Sequence, residues 1–139
     1  MARKLPTLEK RALLHSPAVS RDKLLAYAES YLEDGYLYEA MEFFEKAREQ
    51  AGLDRVRDAA ISEGNAGLLG WMARNALSQI TEEHWRRAAE NAMKGGKYRF
   101  AAAAFERAGD ATKAQEARQA ALPAAGASPQ SRKEEPAKE

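Results

Sequence analysis

Few residues in this chain are of types that do chemistry, and their spacing does not assemble a reaction centre. There is no cysteine, which removes disulfides, thiolate nucleophiles and thiolate metal ligands. The two histidines, His15 and His84, stand far apart without ligand-spaced neighbours, so neither a metal site nor a histidine-based catalytic group is expected. Carboxylates are plentiful but fall at helix-face intervals. Glu42 and Lys46 make an attractive i, i+4 pair and Glu45 and Glu49 a repulsive one, the arrangement of solvated helix surfaces. Gly95-Gly96-Lys97 lacks the full spacing of a phosphate loop and the strand that precedes one, and it reads as a helical turn. One basic set does stand out: Arg86, Arg87, Lys94, Lys97, Arg99 and Arg107, close to Trp85, Tyr98 and Phe100. Such sets grip single-stranded nucleic acid through phosphates and stacking. Here Glu82, Glu83, Glu90 and Glu106 interleave with it, so RNA binding ranks as a lesser alternative. No enzymatic activity, cofactor or metal is expected.

The elements that carry these residues must be helical. Of 139 residues, 45% are hydrophobic and 31% charged, alanine dominates, and β-branched residues are scarce. That mixture favours helices, because alanine loses no side-chain entropy and Glu, Lys and Arg lose little. The length suits one domain. No apolar run approaches the roughly 20 residues that span a bilayer, and the start has no secretory apolar core, so a cytoplasmic protein without membrane contact is expected. The net charge of +1 argues against bulk attraction to nucleic acid. Charge is uneven, however. Residues 1–21 hold five cations against one carboxylate, and residues 22–51 hold eight carboxylates against three cations. A basic arm thus precedes an acidic hairpin, and the two are expected to lie against each other.

Residues 1–21 read as this arm, with a short helix stopped by Ser16-Pro17. From Ser20, a natural N-cap, Leu24, Tyr27, Ala28 and Tyr31 form one apolar stripe; Gly35 interrupts, and Ala40, Phe43, Phe44 and Ala47 form a second. Two amphipathic stretches joined by a tight turn make a helical hairpin. Thr81 starts another, with Trp85, Ala88, Ala89 and Ala92, then Gly95-Gly96, then Ala101, Ala104, Phe105 and Ala108. An alanine-rich helix over 110–122 follows. Residues 123–139 hold no large apolar side chain, and a disordered tail is expected there.

Overlaying the two hairpins at a 61-residue offset places Ala28 on Ala89, Gly35 on Gly96, Ala40 on Ala101, Phe44 on Phe105 and Ala47 on Ala108. Leu24, Ala28, Tyr31, Gly35, Ala40, Phe44 and Ala47, repeated as Trp85, Ala89, Gly96, Tyr98, Ala101, Phe105 and Ala108, resemble the tetratricopeptide repeat. Ala92 departs from that pattern, which has an aromatic there. The resemblance implies an all-α, right-handed stack of antiparallel helical hairpins, about 22–50, 53–79 and 82–108, closed by a capping helix at 110–122. Such stacks need about three units, which directs attention to the middle. There Gly64 falls on Gly35 at a 29-residue offset, but Arg57 falls on a small-residue position. Two helices are preferred; one long helix over Asp54–Asn75 is the alternative, at about 1 kcal/mol for each interior glycine.

The resemblance further implies a non-catalytic protein–protein interaction module, adaptor or chaperone-like, with the first helix of each hairpin forming the docking face. On that face stand Leu25, Glu29, Leu32 and Glu33, then Asp54 and Asp58, then Arg86, Glu90, Met93 and Lys94. Leu25 and Glu29 occupy positions where a carboxylate clamp would need lysine or asparagine, so no such clamp is expected. A basic, amphipathic peptide or helix is the partner implied by complementarity, and the chain's own basic N-terminal helix is a second occupant. The alternative is a structural or self-associating subunit, using Phe43, Leu68 or Trp71 as exposed apolar contacts.

Overall fold

The computed structural model describes residues 7–16 and 18–123. Among them the chain is all-helical, with eight helices and no strand: α1 (Thr7–His15), α2 (Arg21–Glu33), α3 (Leu37–Lys46), α4 (Gln50–Glu63), α5 (Ala66–Arg74), α6 (Glu82–Lys94), α7 (Tyr98–Arg107) and α8 (Ala111–Ala121). The expected tail, apart from Pro123, and the first six residues of the basic arm lie outside the described residues.

Local sequence sets the helix starts. Ser20 Oγ accepts the Lys23 amide, Asn65 Oδ1 the Leu68 amide and Asp110 Oδ1 the Lys113 amide, each satisfying a donor that the first helical turn leaves open. The helix ends share one device. In α2 to α7 an amide beyond the helix returns to a carbonyl five residues back: Tyr36 to Tyr31, Glu49 to Phe44, Asn65 to Ala60, Leu77 to Met72, Lys97 to Ala92 and Asp110 to Phe105, all at 2.8–2.9 Å. This is the Schellman closure, which puts one residue in the left-handed region. Glycine fills it four times, but Arg48 (φ 56°) and Ala76 (φ 54°) fill it in α3 and α5. Those two ends carry no glycine signal in the sequence. The expected boundaries at 50 and 79 therefore need correction. The first hairpin closes at Lys46, α4 already begins at Gln50, and α5 stops at Arg74.

The middle of the chain is two helices, parted at Gly64 (φ 68°). Its first helix is not short but the longest of the eight, at 14 residues. Arg57, on the position where the repeat has a small residue, is not packed under a second helix. It reaches the segment after α5 and donates to Ser78 Oγ at 3.2 Å and the Gln79 carbonyl at 3.1 Å.

Packing proceeds in chain order. α2 pairs with α3, α4 bridges from α3 to α6 while pairing with α5, α6 pairs with α7, and α8 closes on α7. Alanines 28, 40, 60, 88, 89, 92, 101, 104, 114 and 117 are completely buried. They let helices approach closely, and the large side chains fill the space beside them. Tyr31 and Tyr27 both stack on Phe43 with centroids 5.6 Å away. Phe43 and Leu68, expected as exposed apolar contacts, are instead core residues, 0% and 7% exposed; Trp71 is exposed at 41%. The reason is rotational position: Phe43 turns toward α2, where the two tyrosines cover it.

The N-terminal helix does not occupy the first-helix face. It lies along α3, the second helix of its hairpin, with Leu13 and Leu14 against the core and Lys10 Nζ 2.8 Å from Glu42 Oε1. Arg21, at the start of α2, pairs with Glu49 and donates to the Ala47 carbonyl at 2.8 Å. Apolar leucines of α1 thus seek the core edge at α3, and the basic residues meet the acidic hairpin there.

Candidate functional site

The first helices α2, α4 and α6 position the residues of the expected docking face. On α2, Leu25, Glu29 and Leu32 fall at i, i+4 and i+7 and share one helix side. Leu25 and Leu32 are half-buried against the core, Glu29 is half-buried, and Glu33 is exposed. Arg55 of α4 crosses to this group. Its two terminal nitrogens reach both Glu29 oxygens, at 2.5 and 3.1 Å. The fork geometry matches a carboxylate. The hydrogen bond to Glu29, then the charges of Glu29 and Glu33, hold the Arg55 guanidinium above its ordinary value.

Asp54 and Asp58 serve a second group. Asp54 Oδ1 accepts from Gln50 Nε2 at 3.0 Å and from Ser78 Oγ at 2.7 Å, and the Gln50 hydrogen bond first, then that of Ser78, hold its carboxyl below the usual range. Asp58 accepts from Arg57 Nε at 2.9 Å. Together with the Arg57 contacts above, they fasten α4 to the segment between α5 and α6. On α6, Arg86 pairs with Glu83 and, at 3.5 Å, with Glu90. Met93 is half-buried and Lys94 exposed.

The ten residues thus gather into three local groups, with α4 between α2 and α6. In each group carboxylates of the face meet arginines of the same chain. Arg55 and Arg57 are the members that sequence reasoning missed. The one available signal was Arg57 itself, a long cation where the repeat has a small residue.

The basic and aromatic set of the last hairpin does not form an open stacking platform. Trp85 is buried, 6% exposed, with the Arg107 guanidinium 4.6 Å above its ring. Lys97 Nζ donates to the Glu63 carbonyl at 2.8 Å, and Tyr98 is half-buried. Of the three aromatics only Phe100 is exposed, at 41%. Tyr38 of α3 and Trp71 of α5, also exposed, meet edge-to-face at 6.2 Å. Among the described residues no group of three or more His, Asp or Glu is placed to hold a metal ion, and no helix is long and apolar enough to cross a membrane.

His84 has a structural task. Its Nδ1 accepts the Thr81 amide at 3.0 Å while Thr81 Oγ1 accepts the His84 amide at 3.1 Å, a reciprocal box at the start of α6. That requires neutral imidazole. Burial first, and then the Arg57 charge, hold His84 below its ordinary value of 6.5, against the opposing pull of Asp58. The unfolded chain takes up this proton at a higher pH than the folded one. The box therefore contributes fully above about pH 6.5, and its contribution is lost as pH falls below that toward the lowered folded value. The thermal midpoint is expected to drop between pH 7 and pH 5. In His84→Gln, which keeps an acceptor without a titration, the drop is expected to be smaller; equal drops by circular dichroism would exclude the His84 contribution.

Compared with protein families, with curated proteins and with solved structures, the chain matches none.

Proposed function

We propose that this chain is a non-catalytic protein-binding module of the tetratricopeptide type, adaptor or chaperone-like. Its ligand is a basic, amphipathic peptide or helix laid on the α2, α4 and α6 face. The observation that supports this reading most is Arg55. A cation of the chain itself occupies Glu29, the carboxylate flanked on its helix side by Leu25 and Leu32. A lysine or arginine of a ligand would make the same contact, with the leucines receiving its apolar side. Arg55 is about half exposed, as is Glu29, and ion pairs of that kind contribute only about 0–1 kcal/mol. An incoming cation can therefore displace Arg55 at small cost, and the apolar contact supplies the net gain.

The test is binding of a labelled, lysine-flanked amphipathic peptide to the full chain. Reversing Glu29 and Glu33 to lysine is expected to weaken binding about tenfold or more, because like charges then face the ligand. Arg55→Ala leaves the carboxylates without their internal partner and is expected to tighten binding a few-fold, on the order of the surface-pair energy it removes. Affinity unchanged in both variants would remove the α2 carboxylates from the site and the reading with them.

A further inference from the structure

A second surface, remote in sequence from the α2 carboxylates, lies between α7 and α8. Ala102 and Ala103 of α7 and Ala121 and Leu122 at the end of α8 line a surface cavity of about 470 Å³. An adjoining cavity of about 440 Å³ shares Arg99 and Ala121 with it and extends to Phe100. Leu122 is 60% exposed and Phe100 41%, so this groove presents large apolar side chains to solvent. Its rim is cationic. Lys97, Arg99 and Arg118 stand there against one carboxylate, Glu106, which is itself paired with Arg118.

The packing order indicates what shape fits. α8 packs along α7, and among the described residues no helix follows it. The groove is lined by both α7 and α8, so a helix laid in it would touch both. Residues 124–139 contain no Leu, Ile, Val, Met or aromatic residue, so they offer nothing to fill an apolar floor. We propose that the α7–α8 groove docks an amphipathic helix of another protein, with an apolar seam on Ala103 and Leu122 and acidic flanks against Arg99 and Lys97. Helix-in-groove docking uses such a seam, and complementary flanks select the partner. This inference does not depend on the α2 face and assigns a partner of opposite charge to it.

Two labelled helical peptides test it on the full chain by fluorescence anisotropy, one with a leucine seam flanked by glutamates and one with the glutamates replaced by lysines. With Glu29→Gln and Glu33→Gln removing the α2 carboxylates that would hold the basic peptide, the acidic peptide is expected to bind about tenfold tighter than the basic one. Ala103→Trp, which fills the floor from an exposed helix position, and Arg99→Glu are each expected to weaken the acidic peptide about tenfold. Circular dichroism checks that both variants keep the helical content. Glu29→Gln with Glu33→Gln is expected to leave acidic-peptide binding unchanged. No binding of the acidic peptide, or unchanged affinity in both groove variants, overturns the proposal. So does self-association in sedimentation equilibrium that Ala103→Trp abolishes, which would assign the groove to a second copy. Competition by a free peptide of residues 124–139 would assign it to the chain's own end and overturn the proposal equally.

Discussion

Gly64→Ala is expected to destabilise the fold by roughly 2–5 kcal/mol, the sum of two independent costs. The first is local. Gly64 ends α4 with φ 68°, and an L-residue in the left-handed region costs about 1–2 kcal/mol. The second is a collision with backbone. A Cβ at Gly64 would lie 2.5 Å from the Ala92 amide nitrogen and 2.6 Å from its Cα, and the main chain of α6 cannot turn aside as a flexible side chain does. Overpacking of that kind adds about 1–3 kcal/mol. The junction has no slack on either side. Asn91 Nδ2 donates to the Ile61 carbonyl at 2.8 Å and Lys97 Nζ to the Glu63 carbonyl at 2.8 Å, so α6 and the turn that follows it hold the last turn of α4 by hydrogen bonds flanking the contact. Gly35→Ala is the control. It has a left-handed φ of 83° but nothing within 4 Å of the added carbon, so it isolates the local cost. Urea unfolding measures both. A Gly64→Ala loss no greater than that of Gly35→Ala would show that the α4–α6 contact yields freely.

Phe44→Ala is expected to cost about 3–5 kcal/mol, and it should reverse the effect of a change at Gly52. Phe44 is 1% exposed, and its ring lies where a Cβ at Gly52 would come within 2.1–2.5 Å of three ring atoms. Gly52 sits inside α4, where glycine is about 1 kcal/mol worse than alanine. In the natural chain the clash outweighs that gain, and Gly52→Ala is expected to destabilise by up to about 2 kcal/mol net of it. With Phe44→Ala in place the clash is gone and a cavity stands open, so the same substitution should stabilise by about 0.5–1 kcal/mol. The sign change is the measurement, taken as a double-mutant cycle in urea. A Gly52→Ala effect of the same sign in both backgrounds would dismiss the ring as the reason for this glycine.

These two glycines also show where reading the sequence stops. Gly64 was legible as a turn, because it falls on Gly35 in the overlay. Its contact with Ala92 was not, although it accounts for the small residue where the repeat has an aromatic: the end of α4 lies where a large ring would project. Gly52 carried no signal at all, since a glycine inside a helix has the same letter whether it faces solvent or a phenylalanine ring. The helix ends divide in the same way. Glycine marks the left-handed residue after α2, α4, α6 and α7. Arg48 and Ala76 take that conformation with no glycine to mark it, so the helix ends at Lys46 and Arg74 had no such signal.

The candidate faces divide likewise. The repeat resemblance placed Leu25, Glu29, Leu32 and Glu33 on the docking face of α2, and the i, i+4 and i+7 spacing of Leu25, Glu29 and Leu32 that puts them on one side belongs to the chain's local order. It could not show that Arg55 enters Glu29, that Arg57 ties Asp54 and Asp58 to Ser78, or that Phe43 turns inward, since those partners meet only when helices pack. The basic residues near Phe100 were legible as a cluster, yet the groove they border exists only because α8 folds back on α7. The all-helical class, the apolar stripes, and most caps and turns follow from side chains within a few residues of one another. Which charges are already paired and which apolar surfaces stay open follows from how the helices pack. Those outcomes depend on distances between segments that hydrophobic burial brings together without regard to their separation along the chain.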